Sequence, residues 1–419
     1  MEIWILNHYS GRPGDVPGAR HVYLAEALVK MGHRVLLAYA SNHHHRMRRL
    51  EEHRLGRIEE DEASGVRYLA IGVLDYEGNG VGRLKNLLAF SSSSSVFTGL
   101  ARSGEVGTPD IILASSPTPF VFLLAQAISR RCGGKIVFEV RDLWPESLVD
   151  VMGKSQWHPV VLMFRLIVHH AYRRSDAVTS LLPASREYLE ERSSGKRVGI
   201  FPNGLGHLQR ESGGGERLVP SVVRRSIEEW RAKGKFLIGY AGSMGPPNGL
   251  DLLLGLKDEG EGEMPFQILL VGDGPMRKEL EDRAESSGLD YLTFLPRIPR
   301  ESVHLFLGEM DVNVACALPL SIYRYGISFN KIFDYMVVGR PTLFAGYAEK
   351  NPVALSGGGL VVPPQNPVAL RSAIGTLMEM PSEDLDKMGS LAKCYVERNH
   401  NWDKIGREYG KFLEAVAKA

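Results

Sequence analysis

Hydrophobic and polar positions along this chain follow two periods in turn. Residues 2–7 form a short apolar run that predicts a buried strand, and apolar positions at helical spacing from about Arg20 to Lys30 predict a helix that Gly32 ends. Between them lies a loop of turn formers, Gly11, Pro13, Gly14, Pro17 and Gly18, and after them Val35 to Ala40 reads as the next strand. The opening is a strand–loop–helix–strand unit, which implies a parallel sheet. The alternation continues with a strand at Asp110–Ala114, a helix over about 119–130, and strands at Lys135–Val140 and Ala177–Leu181. Residues 1–205 therefore read as a Rossmann-like, doubly wound domain.

The pattern breaks from Gly195 to Gly215, where Pro202-Asn-Gly204 and Glu211-Ser-Gly-Gly-Gly215 favour loop, so residues 206–234 read as a linker and the entry to a second domain. It restarts with strands at Phe236–Ala241, Gln267–Val271, Leu292–Leu295 and Val312–Ala315, with helices near 249–256 and 275–287. Residues 235–400 form a second Rossmann-like domain in this reading, and residues 401–419 a helix that crosses back to the first. The expected architecture is α/β, two doubly wound parallel-sheet domains facing across a cleft, with ligands at the carboxyl ends of the strands.

Length and composition narrow the partners. A chain of 419 residues with 44% hydrophobic content is long enough for two cores. Its 50 basic and 49 acidic residues leave no field that would gather nucleic acid. Three cysteines, Cys132, Cys316 and Cys394, lie far apart without metal-ligand or redox spacing, which suits a reducing cytoplasm. The first apolar run is too short for a signal peptide, and charges interrupt every longer candidate for a spanning helix, so the chain is expected to be soluble or peripheral to a membrane.

Three loops of the second domain carry candidate chemistry. Tyr240-Ala-Gly-Ser-Met-Gly245 and Leu270-Val-Gly-Asp-Gly-Pro275 are strand–glycine–helix junctions, where glycine lets backbone approach a ligand or simply makes a tight turn. The third, Ile322 to Pro341, sets Arg324, Ser328, Asn330 and Lys331 before or at a helix entrance, where free N–H groups and the helix dipole favour phosphate. One turn on, Asp334 is placed to accept hydrogen bonds from sugar hydroxyls. No phosphate loop ending in Gly-Lys-Ser/Thr and no Gly-x-Gly-x-x-Gly occurs, so neither ATP hydrolysis nor a dinucleotide is favoured.

These strings, with Gly18-Ala-Arg-His21, Gly32-His-Arg-Val35, Arg141-Asp-Leu-Trp-Pro-Glu-Ser147 and Phe201-Pro-Asn-Gly204, resemble glycosyltransferase family 4 of the GT-B fold over nearly the whole chain. Within it, the chain is most similar to bacterial O-antigen and capsule N-acetyl-L-fucosaminyl transferases. The resemblance implies a retaining transferase that needs no metal and no cofactor. It implies a UDP-sugar donor, a polyprenyl-diphosphate-linked sugar acceptor and a place on the inner face of the cytoplasmic membrane. By motif, Gly242, Ser243 and Gly245 would approach the diphosphate, and Gly272, Gly274 and Pro275 would shape the nucleotide and sugar side. Asp334 would hold the ribose, and Gly18 and Arg20 of the first domain would close over the phosphates.

The chain also departs from that family. Gly326 stands where many members have a first glutamate, Asp334 where they have a second, and Ser243 and Asn248 where an arginine and a lysine are common. The phosphate charge then falls to Lys331 first, and to Arg324. In the first domain Asp142 is a candidate base toward the acceptor hydroxyl or stabiliser of an oxocarbenium-like transition state, Glu146 a catalytic or acceptor-binding carboxylate, and Trp144 an apolar face for a sugar ring. The bland alternative for this string is an ordinary helix start.

The segment Trp157–Arg174 reads either as a core helix or as one that lies against lipid. His43-His-His45, beside Arg46, Arg48 and Arg49, reads as a solvated basic loop rather than a metal site, and the run Ser91–Ser95 has no catalytic spacing. A UDP-sugar epimerase and a nucleotide-sugar-binding protein without turnover are the competing functions.

Overall fold

A computed structural model describes residues 1–15, 20–43, 54–76, 78, 80–116, 118–206, 219–257 and 262–419. The chain divides into two units, Met1–Gly206 with Trp402–Ala419, and His207–Asn401.

The first unit is built on β1 (Glu2–Leu6), β2 (Arg34–Ala40), β3 (Ile58–Glu60), β4 (Arg67–Ile71), β5 (Ile111–Ser115), β6 (Lys135–Val140), β7 (Ala177–Ser180) and β8 (Arg197–Ile200). They form one sheet in the order β3-β4-β2-β1-β5-β6-β7-β8, parallel except for the β3–β4 pair. β1 and β5 are buried along their whole length, as expected of strands covered on both faces. The chain turns from one side of the sheet to the other between β1 and β5, the switch point where ligands of such sheets bind.

The second unit holds β9 (Phe236–Ala241), β10 (Phe266–Val271), β11 (Leu292–Leu295), β12 (Val312–Cys316), β13 (Thr342–Ala345) and β14 (Gly359–Val362), all parallel, in the order β11-β10-β9-β12-β13-β14. Here the switch point lies between β9 and β12.

The last helix, Trp402–Ala417, packs on the helix Arg20–Lys30. Gly406 and Gly410 open its face: a Cβ on Gly406 would stand 2.1 Å from Ala27 Cβ, and one on Gly410 would stand 2.5 Å from Met31 Sδ. Trp402, Ile405, Tyr409, Leu413 and Val416 enter the core of the first unit beside Val22, Leu24 and Phe201. Tyr409 also fixes the helix to β7 through a 2.8 Å hydrogen bond with Thr179 Oγ1.

Several elements differ from the periodicity. β8 lies inside the stretch from Gly195 that reads as a break, because four residues suffice for an edge strand. The helix Ser221–Ala232 occupies part of the predicted linker and buries only Val223 and Ile227. Residues 250–255 are 3-10 rather than α, entered through Pro246, Pro247 and a left-handed Gly249. The serine run joins the helices Val81–Ser91 and Ser94–Ser103, and Ser92 and Ser93 donate their hydroxyls back to the carbonyls of Ala89 and Phe90.

Candidate functional site

The loops that follow β9 and β10 are knitted together by their backbones. Gly242 N–H donates to Val271 O (3.0 Å), Met244 N–H to Asp273 O (2.8 Å) and Met276 N–H to Met244 O (2.9 Å). Gly272 and Gly274 sit at φ +148° and +155°, and a Cβ on them would stand 1.9 Å from Gly242 O and 2.6 Å from Met244 O. Their missing side chains make room for the neighbouring loop. Gly245 is different: a Cβ there would meet nothing closer than Ser243 Oγ at 3.7 Å. Pro275 follows the second loop and leads into the helix Arg277–Ser286.

Over the first loop lies the Lys331 ammonium. Its Nζ contacts the Tyr240 hydroxyl (3.2 Å) and Asn248 Oδ1, and stands 5.0 Å from the Tyr240 ring centroid. Tyr240 and the Asn248 amide both donate to Ser243 O, at 2.6 and 2.7 Å. Lys331 therefore has neutral partners only, and among the described residues it forms no ion pair. Burial lowers its pKa to about 8. The Lys331 ammonium thus reaches Asn248, where the resemblance leads one to expect a lysine.

The helix Asn330–Val337 carries Lys331 and is bolted to β9 by Tyr335, whose hydroxyl accepts from Ala241 N and donates to Ala241 O, each at 2.9 Å. Asn330 is exposed at the first turn and Ser328 is half-buried just before it. Asp334 Oδ1 pairs with His304 Nε2 at 2.8 Å, from the helix Arg300–Gly308. Its second oxygen has no protein partner among the described residues. Arg324 is exposed on the turn Ser321–Tyr325, its guanidinium 4.9 Å from the centre of the Tyr325 ring.

In the first unit Gly18 lies outside the described residues. Arg20 departs from its expected role. Nε donates to Glu139 Oε1, NH1 to Pro202 O and Asn203 Oδ1, and NH2 to Glu139 Oε1 and Phe201 O, at 2.8–3.0 Å. All five donors are spent and the side chain is 3% exposed, so none is left for a phosphate. Glu139 also holds His21 Nε2 (2.7 Å) and Ser115 Oγ (2.8 Å), and His21 Nδ1 meets Asn7 Nδ2 (2.7 Å). Desolvation pushes Glu139 up, but Arg20 and His21 outweigh it and hold the carboxyl well below its usual range. This network was absent from the sequence reading, although a glutamate within the apolar run Lys135–Val140 signals it.

Asp142 keeps an open face to solvent, while desolvation by the protein around it raises its pKa against the pull of Arg141. Glu146 opens the helix Glu146–Asp150, and its Oε1 accepts from Tyr188 OH at 2.7 Å while Oε2 is enclosed without a partner. Of the two catalytic candidates, Asp142 is the more exposed and Glu146 is half-buried. Trp144 packs against Phe164, centroids 5.5 Å apart, beside the cluster of Leu87, Phe120, Leu148 and Val161, so its ring is partly committed to packing. Among the described residues no group of three His, Cys, Asp or Glu side chains is placed to hold a metal ion.

Two α/β domains, each with a switch point, and a cationic glycine loop in the second are features of a transferase that handles a phosphorylated sugar donor. Family comparison agrees: residues 17–204 match "Glycosyl transferase 4-like domain" and residues 235–380 match "Glycosyl transferases group 1". The chain is a glycosyltransferase of the GT-B type.

Among individual proteins, it is 29% identical over 180 residues to the D-rhamnosyltransferase WbpZ of Pseudomonas aeruginosa, 42% of this chain and 44% of that one. The match thus spans less than half of that relative's length. In structure it is similar to sucrose-phosphate synthase from Thermosynechococcus elongatus (TM-score 0.72, 17% identity, 99% of each chain). It is also similar to Anabaena HepE in complex with UDP and glucose (TM-score 0.64, 17% identity, 99% of this chain and 100% of that one).

Proposed function

We propose that this protein moves a sugar from a UDP-sugar to a polyprenyl-diphosphate-linked saccharide during synthesis of a surface polysaccharide, with retention at the anomeric carbon and without a divalent cation. The observation that carries the reading is the Lys331 ammonium, held over the Gly242–Gly245 loop with no carboxylate among the described residues to neutralise it. A diphosphate leaving group is the natural counter-charge. Fixed cations and backbone dipoles stabilise it best where water is scarce.

In the reaction the bond from the anomeric carbon to the diphosphate breaks, the acceptor oxygen bonds to that carbon, and the acceptor hydroxyl loses its proton. Gly242, Ser243 and Gly245 serve the diphosphate. Asp334, steadied by His304, offers its free oxygen to the ribose. From the first unit, the raised pKa of Asp142 suits it to accept the acceptor proton or to face an oxocarbenium-like centre.

HepE, solved with UDP, supports the choice of nucleotide. Gly326, in place of the family's usual carboxylate, and the rhamnosyltransferase relative support an N-acetylated or deoxy hexose. A cytoplasmic enzyme on the inner leaflet fits the helix Pro159–Arg174: it turns Val161, Phe164 and Val168 inward, exposes Val160 and Leu166 beside Arg165, Arg173 and Arg174, and contains no acid. Trp157, just before it, is 71% exposed.

The deciding experiment supplies a panel of UDP-sugars with and without a membrane extract containing polyprenyl-linked saccharides. UDP should appear from one donor only when the extract is present, and the new linkage should keep the donor's anomeric configuration by NMR. Slow UDP release that no extract accelerates would overturn the transfer reading.

A further inference from the structure

Arg141 follows β6 directly, at the carboxyl edge of the first sheet. Its backbone N–H donates to Ser116 Oγ at 2.8 Å, which ties it to the chain leaving β5. Its guanidinium offers five donors, yet among the described residues none meets a protein acceptor, and Nε is enclosed. Desolvation lowers its pKa. The two nearby carboxylates do not pair with it. Glu139 is shared by Arg20, His21 and Ser115, and Asp142 forms no ion pair among the described residues. Arg20, held by Glu139, has every donor satisfied. A half-buried guanidinium with an enclosed Nε and no hydrogen-bond acceptor or ion-pair partner among the described residues is the kind of group that a bound anion completes.

We infer that Arg141 is an anion receptor of the first unit, and that it binds the pyrophosphate group of a diphosphate ester. The inference rests on the proposed reaction, whose two substrates are both diphosphate esters. A planar fork of parallel N–H groups matches the paired non-bridging oxygens of a phosphate, which a lysine would meet only as a point charge. Ser116 sets the backbone that aims it. The position is also one where bound groups of parallel sheets collect, beyond the strand ends. Lys331 is the cation of the second unit that forms no ion pair among the described residues.

The test uses the full chain with Arg141→Met and Arg141→Lys, melted and then titrated calorimetrically with UDP and with geranyl diphosphate, a short stand-in for the lipid-linked substrate. Because the ligand-free protein bears an unpaired charge, Arg141→Met should melt no lower than the parent. It should bind one of the two probes at least tenfold more weakly, and Arg141→Lys should lose less. A loss confined to UDP assigns Arg141 to the donor, and one confined to geranyl diphosphate assigns it to the acceptor. Parental affinity for both probes in Arg141→Met overturns the inference while leaving the proposed function standing. A large drop in melting temperature in both variants, with no affinity loss in Arg141→Lys, overturns it in favour of a structural role. If the parent binds neither probe, the inference and the proposed function fall together.

Discussion

Removing the Lys331 ammonium takes away the cation that lies on the Gly242–Gly245 loop, so Lys331→Met should weaken UDP binding at least about tenfold by calorimetry. The pH dependence has a definite sign. The free lysine has a pKa of about 8, and a bound diphosphate would hold its proton to higher pH. Affinity should be level from about pH 7 to 8, then fall about tenfold per pH unit as binding must take up a proton. Lys331→Met should lack that fall. Stability of the ligand-free protein runs the other way: with the unfolded pKa near its ordinary 10.5, the cost of burying the charge is relieved as pH rises from about 8. Glu139 gives the opposite case. Glu139→Gln leaves Arg20 buried without its counter-charge and should cost about 3–5 kcal/mol in a denaturant titration. Because the Glu139 carboxyl is held well below its usual range, its stabilising share is present above about pH 4.5 and lost as pH falls through the folded pKa. The sequence shows that Arg20 is a cation near a glycine loop, but not its partner, which lies 119 residues away.

The paired loops after β9 and β10 separate two meanings of glycine by a pair of substitutions. Gly272→Ala forces a methyl onto Gly242 O and should destabilise the second unit by about 3 kcal/mol or more, read as a lowered melting temperature. Gly245→Ala meets only ordinary contacts in an extended backbone, so it should fold as the parent does and lose affinity for UDP alone. Parental UDP affinity in Gly245→Ala would remove that residue from the diphosphate site. Both glycines look alike in the sequence, because a missing side chain reports a close approach without saying what approaches. Strands fared better: Phe236–Ala241 and Lys135–Val140 are legible as long apolar runs covered on both faces. β8 and the helices Val81–Ser91 and Ser94–Ser103 are not, since a four-residue edge strand carries too little periodic signal and two short helices parted by a serine run are held by tertiary packing. In the same way the Arg141–Ser147 string is visible as a motif, while the enclosure of Glu146 by Tyr188 is not.

For the molecule as a whole, no helix among the described residues is long and apolar enough to cross a membrane. The proposed surface contact is therefore tested on intact protein: it should pellet with phosphatidylglycerol vesicles more than with phosphatidylcholine vesicles, and less so at high salt. Replacing Trp157 and Leu166 with serine should release it without lowering the melting temperature, since both side chains are 71% exposed. Equal pelleting of parent and variant would remove this face from membrane contact. The helix Trp402–Ala417 has a different consequence, in the order of synthesis. The first unit needs Trp402, Tyr409 and Leu413 to close its core, yet a ribosome delivers them only after the whole second unit, roughly 10–40 s later at bacterial-to-eukaryotic elongation rates. Through that interval Phe201, Thr179 and the helix Arg20–Lys30 wait with an uncovered face, so a chain stalled before Trp402 should be cut by protease in its first half while its second is already sealed.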